Sequence, residues 1–323
     1  MDDEIVAARA ALERLPRVAG LDPRAAAIGR LGGLTNLVFR VDGADRSWCL
    51  RLPGKGTEAY IDRAAERHNA GVAAQAGVSP AVVHFDPATG VMVTEHVAGV
   101  TMSGDGFADL GAVARAARAF HRLHTSGLSF SGRFDLFAKM DEYQALLDRL
   151  GASVPEGHAE AKAAAEAVRP LLAAVPLAPC HCDPLAENFI DAGERMWVVD
   201  WEYSGTNDPM WDLGDLSVEA GFGPEQDATL LHAYFAGPPP AAEQARMVVY
   251  KAMCDLLWTL WGIIQDANGN PAEDFAAYAR GRLERCRELM AMDTYAAAVR
   301  ELRCWSGSTI RGTTPASSRP RGR

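Results

Sequence analysis

Positive charge is scarce in this sequence. Residues 1–305 hold 28 Lys and Arg against 42 Asp and Glu, and the remaining four arginines sit in the last eighteen positions. A surface of that sign repels nucleic acid and suits a cationic small molecule. Cysteine is present without a pairing pattern: the six, at 49, 180, 182, 254, 286 and 304, are too scattered for the disulfide framework of a small secreted domain. Cys180, His181 and Cys182 have no second Cys/His pair at zinc spacing. No unbroken apolar run reads as a membrane span, and the acidic opening "MDDEIVAARA" lacks the pattern of a signal peptide. The expected compartment is the cytoplasm, with no membrane insertion. Internal repeats are absent too.

Two regions of different character make up the rest. Residues 27 to about 98 alternate in short segments, "NLVFRV", "SWCLRL", "AVVHF" and "GVMVTEHV", broken by Gly, Asp and Pro, as in an antiparallel sheet. One helix interrupts them, "EAYIDRAAERHNAGVAAQAG", stopped by Gly77 ahead of Pro80. From residue 106 the apolar period is helical, interrupted by the stretch around 178–205. The expected class is α+β, in two lobes: a small antiparallel-sheet lobe over residues 1–98 and a larger, mainly helical lobe over 99–305. The tail, 306–323, is rich in Ser, Thr, Pro, Gly and Arg and is expected to be disordered. Ligands bind in clefts between lobes, and the connection near residues 95–104 would be the hinge of this one.

The interrupting stretch carries chemistry. In "HCDPLAENF", residues 181–189, His181, Asp183 and Asn188 satisfy H-x-D-x-x-x-x-N, the catalytic loop of kinases, and the apolar "MWVVD" that follows ends in Asp200. Phosphoryl transfer needs these parts: a carboxylate to accept the hydroxyl proton, and an amide oxygen with a second carboxylate to hold Mg²⁺ against the phosphates. Upstream, "GRLGGLTNLVFRV" is a glycine-bearing turn entering a strand, able to bring backbone N–H groups close to phosphate. Arg51 stands on the next strand and Glu66 on the helix after it. Taken singly, each feature has a bland explanation: a capped turn, a hairpin, a surface ion pair. Their order is that of a kinase.

These motifs resemble the choline/ethanolamine kinase family, within the wider aminoglycoside phosphotransferase group of protein-kinase-like folds. "GGLTN", "CLRLPG", "IDRAAE", "CHCDPLAENF", "VVDWEYSGTNDPMWDLGDLSVE" and "LLWTLWGIIQ" fall in the family's order over roughly residues 28–290. The resemblance implies Asp183 as catalytic base, with Asn188 and Asp200 completing the catalytic set as Mg²⁺ ligands. It implies an ATP site of Gly32, Gly33, Thr35, Asn36, Arg51, Glu66, Glu95 and Val97, and Asp212 as a brace beneath the catalytic loop. It further implies an aromatic cage of Tyr203, Trp258, Trp261 and Tyr278, with Glu219 supplying charge opposite to a quaternary ammonium that cannot donate hydrogen bonds. The expected partner is a small amino alcohol, choline favoured, and no nucleic acid; the resemblance leaves room for a homodimer. Pro184, Leu185 and Glu187 depart from the family's usual loop, which leaves the acceptor's orientation open. The alternatives are a kinase for an aminoglycoside, thiamine or another hydroxylated metabolite, and a catalytically silent protein of the same fold.

Overall fold

The computed structural model describes residues 2–15, 18, 21–32, 36–54, 61–173 and 175–311. Five antiparallel strands form the first sheet: β1 (Ala27–Arg30), β2 (Leu37–Asp42), β3 (Ser47–Leu52), β4 (Val82–Phe85) and β5 (Met92–Glu95), in the order β1-β2-β3-β5-β4. Strand periodicity decides what each residue does. The register pairs Phe39 with Leu50 and Val41 with Trp48, so all four share one face and are buried. Val93 joins them, and a helix that the sequence reading did not anticipate, α1 (Asp2–Arg14), covers them through Ala8 and Leu12. Arg51, one residue beyond Leu50, must therefore point to the opposite face.

That face meets α2 (Arg63–Gln75), which begins later than the sequence pattern suggested because the Asp62 carboxylate caps it, accepting from the N–H groups of Ala64 and Ala65. Gly77, at φ +72°, turns the chain out of the helix end as expected. The residues after α2 then meet the second lobe: Val198 N–H donates to Val78 O at 2.8 Å and Trp201 Nε1 to Ser79 Oγ at 3.0 Å.

The second lobe contains helices α3 (Leu110–His124), α4 (Leu136–Leu150), α5 (His158–Val168), α6 (Pro209–Glu219), α7 (Pro224–Phe235), α8 (Ala241–Ala267), α9 (Phe275–Ala291) and α10 (Asp293–Arg311). Two short antiparallel sheets sit among them. β6 (Val100–Thr101) pairs with β8 (Phe189–Asp191), which pairs with β9 (Met196–Val198); β7 (Ala178–Cys180) pairs with β10 (Gly205–Asn207). Helix α8 is long and apolar enough to cross a membrane, although Lys251 and Asp255 interrupt its apolar run, but 89% of its most apolar window is buried in the protein and it forms the core of this lobe. Gly214 and Gly262 let its neighbours come close: a Cβ on Gly214 would lie 3.0 Å from Met247 O, and one on Gly262 only 2.7 Å from the Tyr278 ring. The backbone of α10 is helical to Arg311, past the boundary expected at 305, and residues 312–323 lie outside the described residues.

Candidate active site

The loop between β7 and β8 is shaped by a carboxylate below it. Asp212, on α6 and without exposed surface, accepts from the backbone N–H of His181 (2.7 Å) and of Cys182 (2.8 Å) and pairs with His124 Nε2 at 3.0 Å. These bonds hold Cys182 in the left-handed region, φ +69°, where a non-glycine residue is rarely found. His124 in turn meets the Tyr234 hydroxyl at 3.0 Å. We expect Asp212→Ala to cost about 3–5 kcal/mol, since it leaves two buried N–H groups and a buried imidazole without their acceptor. Urea unfolding measures this directly, and a loss under about 1 kcal/mol would show that the loop holds its shape without the brace.

His181 ties the loop to Asp200. Its Nδ1 accepts from Asp183 N–H at 3.3 Å, which places the ring proton on Nε2, 2.8 Å from Val199 O. Burial lowers its pKa, favouring the neutral ring this pattern needs. Asn188 closes the turn by donating its side-chain N–H to Asp183 O at 3.0 Å, which leaves its amide oxygen as the free acceptor. The bonds that shape the turn at Asp183 are made by its backbone, whose carbonyl also accepts from Leu185 N–H at 2.9 Å. Burial pushes its carboxyl well above the usual range, and the carboxylates of Asp215, Glu219, Asp200 and Glu202 push further in that order.

Between the lobes, acids and bases interlock. Arg51 forms an ion pair with Glu66 and reaches Asp200 Oδ1 at 2.9 Å, while Arg63 bridges Glu66 Oε2 (2.7 Å) and Glu202 Oε2 (3.0 Å). Asn36 donates to Asp200 Oδ2 at 3.3 Å and accepts from Gly54 N–H at 3.1 Å, so it anchors the glycine turn as well as bordering it. Arg63 and Glu202 were not singled out from the sequence, because their partnership spans 139 residues. Glu66, Asp200 and Glu202 place one oxygen each within 4.8 Å of one another. Their mutual repulsion and burial raise Glu202 to about 7, with burial the larger cause. Asp200 itself has φ +67° and keeps 28% of its side chain exposed. Hard oxygens from Asp200 and Asn188 are the donor set a divalent cation of the magnesium type requires. Gly32 lies at the exposed turn, where Arg30 donates to its carbonyl; Gly33 and Thr35 fall outside the described residues. Glu95 and Val97 stand at the end of β5, the Glu95 N–H already engaged by Ala81 O at 2.9 Å.

The four predicted rings come together. Tyr203 meets Trp258 edge to face (centroids 5.6 Å apart), Trp258 meets Trp261 (6.2 Å) and Trp261 meets Tyr278 (5.8 Å). Trp258 and Trp261 share a face of α8 as their spacing requires, and Gly262 admits Tyr278. The rings touch one another, so they make a continuous wall and not an open box. Glu219 is placed beside them, but its charge is already engaged: Arg282 Nη1 and Nη2 lie 2.6 and 2.7 Å from its two oxygens. Sequence reading missed Arg282, 63 residues away, and Asp215, whose signal was its position one helical turn before Glu219. A cavity of about 630 Å³ borders Glu219, Tyr278 and Arg282 between α6 and α9, and none of Asp183, Asn188 and Asp200 lines it.

A small sheet lobe with an arginine stapled to a helix glutamate, facing an H-x-D-x-x-x-x-N loop and a strand-end aspartate, defines a small-molecule kinase of the protein-kinase-like fold. The comparisons agree. The chain belongs to the phosphotransferase enzyme family, whose model matches residues 27–244, and within it to the choline/ethanolamine kinase family. It is 53% identical to a choline/ethanolamine kinase family protein from Mesorhizobium loti, with 94% of this chain and 99% of that one covered and a TM-score of 0.83. It is 28% identical to the choline kinase LicA from Streptococcus pneumoniae, covering 82% and 93% at a TM-score of 0.70. A LicA structure in complex with AMP matches at 25% identity, covering 88% and 97%, also at 0.70.

Proposed function

We propose that this kinase moves the γ-phosphate of ATP, in the presence of Mg²⁺, to the hydroxyl of choline or a related amino alcohol. The observation that carries the reading is that the chain after the catalytic loop joins two groups: the Arg51, Glu66 and Asp200 ion pairs on one side and, three residues on, Tyr203 against the Trp258 and Trp261 wall on the other, with carboxylates of both groups acting on Asp183. Nucleotide phosphates belong on the first side. Arg51 and the glycine turn would hold them there, with Asn188 and Asp200 holding the metal, which supplies charge neutralisation of the phosphates when bound. A cationic head belongs on the second side, against the aromatic wall and the acids of α6. The acceptor hydroxyl then lies between the two and gives its proton to Asp183 while its oxygen bonds to the γ-phosphorus and the bond to the ADP oxygen breaks. The choline kinase and AMP named for the two LicA structures support both halves of this assignment.

The test is ADP release by the purified chain with Mg·ATP over a panel of amino alcohols, an aminoglycoside, thiamine and 3,3-dimethylbutan-1-ol, the neutral carbon analogue of choline. Turnover should be confined to the amino alcohols. Equal turnover of the neutral analogue would remove the cation from the proposal, and no turnover of any amino alcohol would remove the substrate class.

A further inference from the structure

The acceptor side holds an unused hydrogen-bonding atom. Both oxygens of Glu219 take Arg282, and Trp261 Nε1 donates to the Tyr203 hydroxyl at 3.1 Å. Asp215 Oδ1 accepts from Cys254 Sγ at 2.6 Å and from Trp258 Nε1 at 3.3 Å. Asp215 Oδ2 has no partner, although the residue has no exposed surface. Such an atom is costly to leave unmatched, and a charged acceptor more so than a neutral one. Its place is informative: Trp258 bonds it to the aromatic wall and meets Tyr203, three residues after Asp200, and it is the first of the neighbouring acids acting on Asp183. A ligand with its hydroxyl at Asp183 and its nitrogen a short carbon chain away would bring the nitrogen to Asp215 and to the Trp258 ring.

Resting on the amino-alcohol reading above, we infer that Asp215, and not Glu219, is the counter-charge of the acceptor's head, and that the head fitting best is a tertiary ammonium, with one N–H for Oδ2 and two methyl groups for the aromatic wall. A quaternary head has no N–H and leaves Oδ2 unmatched. A primary ammonium has three and buries two of them against rings and against a Glu219 already ion-paired with Arg282. Tertiary amines keep enough charge on their methyl groups to interact with aromatic faces. The raised Asp215 carboxyl, due to burial and then to Glu219, is consistent with a site completed by a bound cation.

The experiment measures kcat/KM at saturating Mg·ATP for 2-aminoethanol, its N-methyl and N,N-dimethyl derivatives and choline, with the wild type and with Asp215→Asn. The wild type should peak at the dimethyl compound, roughly ten-fold or more above choline, the value of a hydrogen bond to a charged group. Asp215→Asn keeps an oxygen for Trp258 and Cys254 but loses the charge. It should bring the dimethyl-to-choline ratio to one or below without changing KM for ATP. A wild-type maximum at choline or at 2-aminoethanol overturns the inference, as does a variant that lowers all four acceptors by the same factor. Should the variant fail to fold, the position of the wild-type maximum decides alone. Turnover of amino alcohols with the maximum elsewhere sinks this inference only, whereas no turnover of any of them sinks the amino-alcohol reading with it.

Discussion

Asp183→Asn should lower kcat by 10²- to 10⁴-fold, the usual effect of removing a general base, while leaving the affinity for nucleotide and the thermal stability intact. The separation of these effects follows from the geometry. What shapes the loop is the backbone of Asp183, through His181 Nδ1 and the Asn188 amide, and both bonds survive the substitution. The carboxylate itself is opposed by burial and by four neighbouring acids, so replacing it with a neutral amide removes repulsion. The variant should melt at or above the temperature of the parent. Single-turnover measurement with amino alcohol and Mg·ATP checks the rate, and calorimetry checks binding. Retention of more than about a tenth of the parental kcat would assign the base elsewhere.

Asp200→Ala acts on the opposite side of the same loop and should have the opposite signature. On the proposed function its carboxylate is the hard donor that holds the metal, so Mg-dependent nucleotide affinity should fall by roughly a hundred-fold or more. Binding of nucleotide without the metal should be little affected, because Arg51 keeps Glu66 as its partner when Asp200 is gone. Titrations with and without Mg²⁺ distinguish these cases. If the variant binds Mg·ATP like the parent, the metal lies on other residues.

What could be read from the sequence was order, and what could not was partnership. The glycine turn, Arg51, Glu66, the catalytic loop and Asp200 are recognisable because kinase chemistry restricts residue type at each, and strand periodicity then forces Arg51 away from the Phe39 and Leu50 face toward α2. The two-lobed architecture follows from the change of apolar period near residue 106. α1 was passed over because an acidic, alanine-rich opening has a weak apolar stripe, and its place on the sheet is fixed only by Ala8 and Leu12 meeting the core. α8 was legible as a helix, with Lys251 and Asp255 interrupting its apolar run, but only its length and burial make it the axis of the second lobe. Glu219 shows the limit most clearly. Its position beside the aromatic residues could be anticipated, but whether its charge is free depends on Arg282, which only the packing of α9 against α6 and α8 brings to it.

The concentration of acids around Asp183 bears also on how a turnover ends. On the proposed function, a cationic alcohol would enter a site whose base, Asp183, has Asp215, Glu219, Asp200 and Glu202 as its acidic neighbours, a setting that favours a cation. After transfer the same molecule carries a phosphate monoester of about −1.5 to −2 at neutral pH, attached to the oxygen that lies against those acids. The attraction at one end is then opposed by repulsion at the other. A cleft built this way would discriminate between substrate and product by a group it did not need to recognise on the way in, so the phosphorylated alcohol should be a weak competitor of its own precursor.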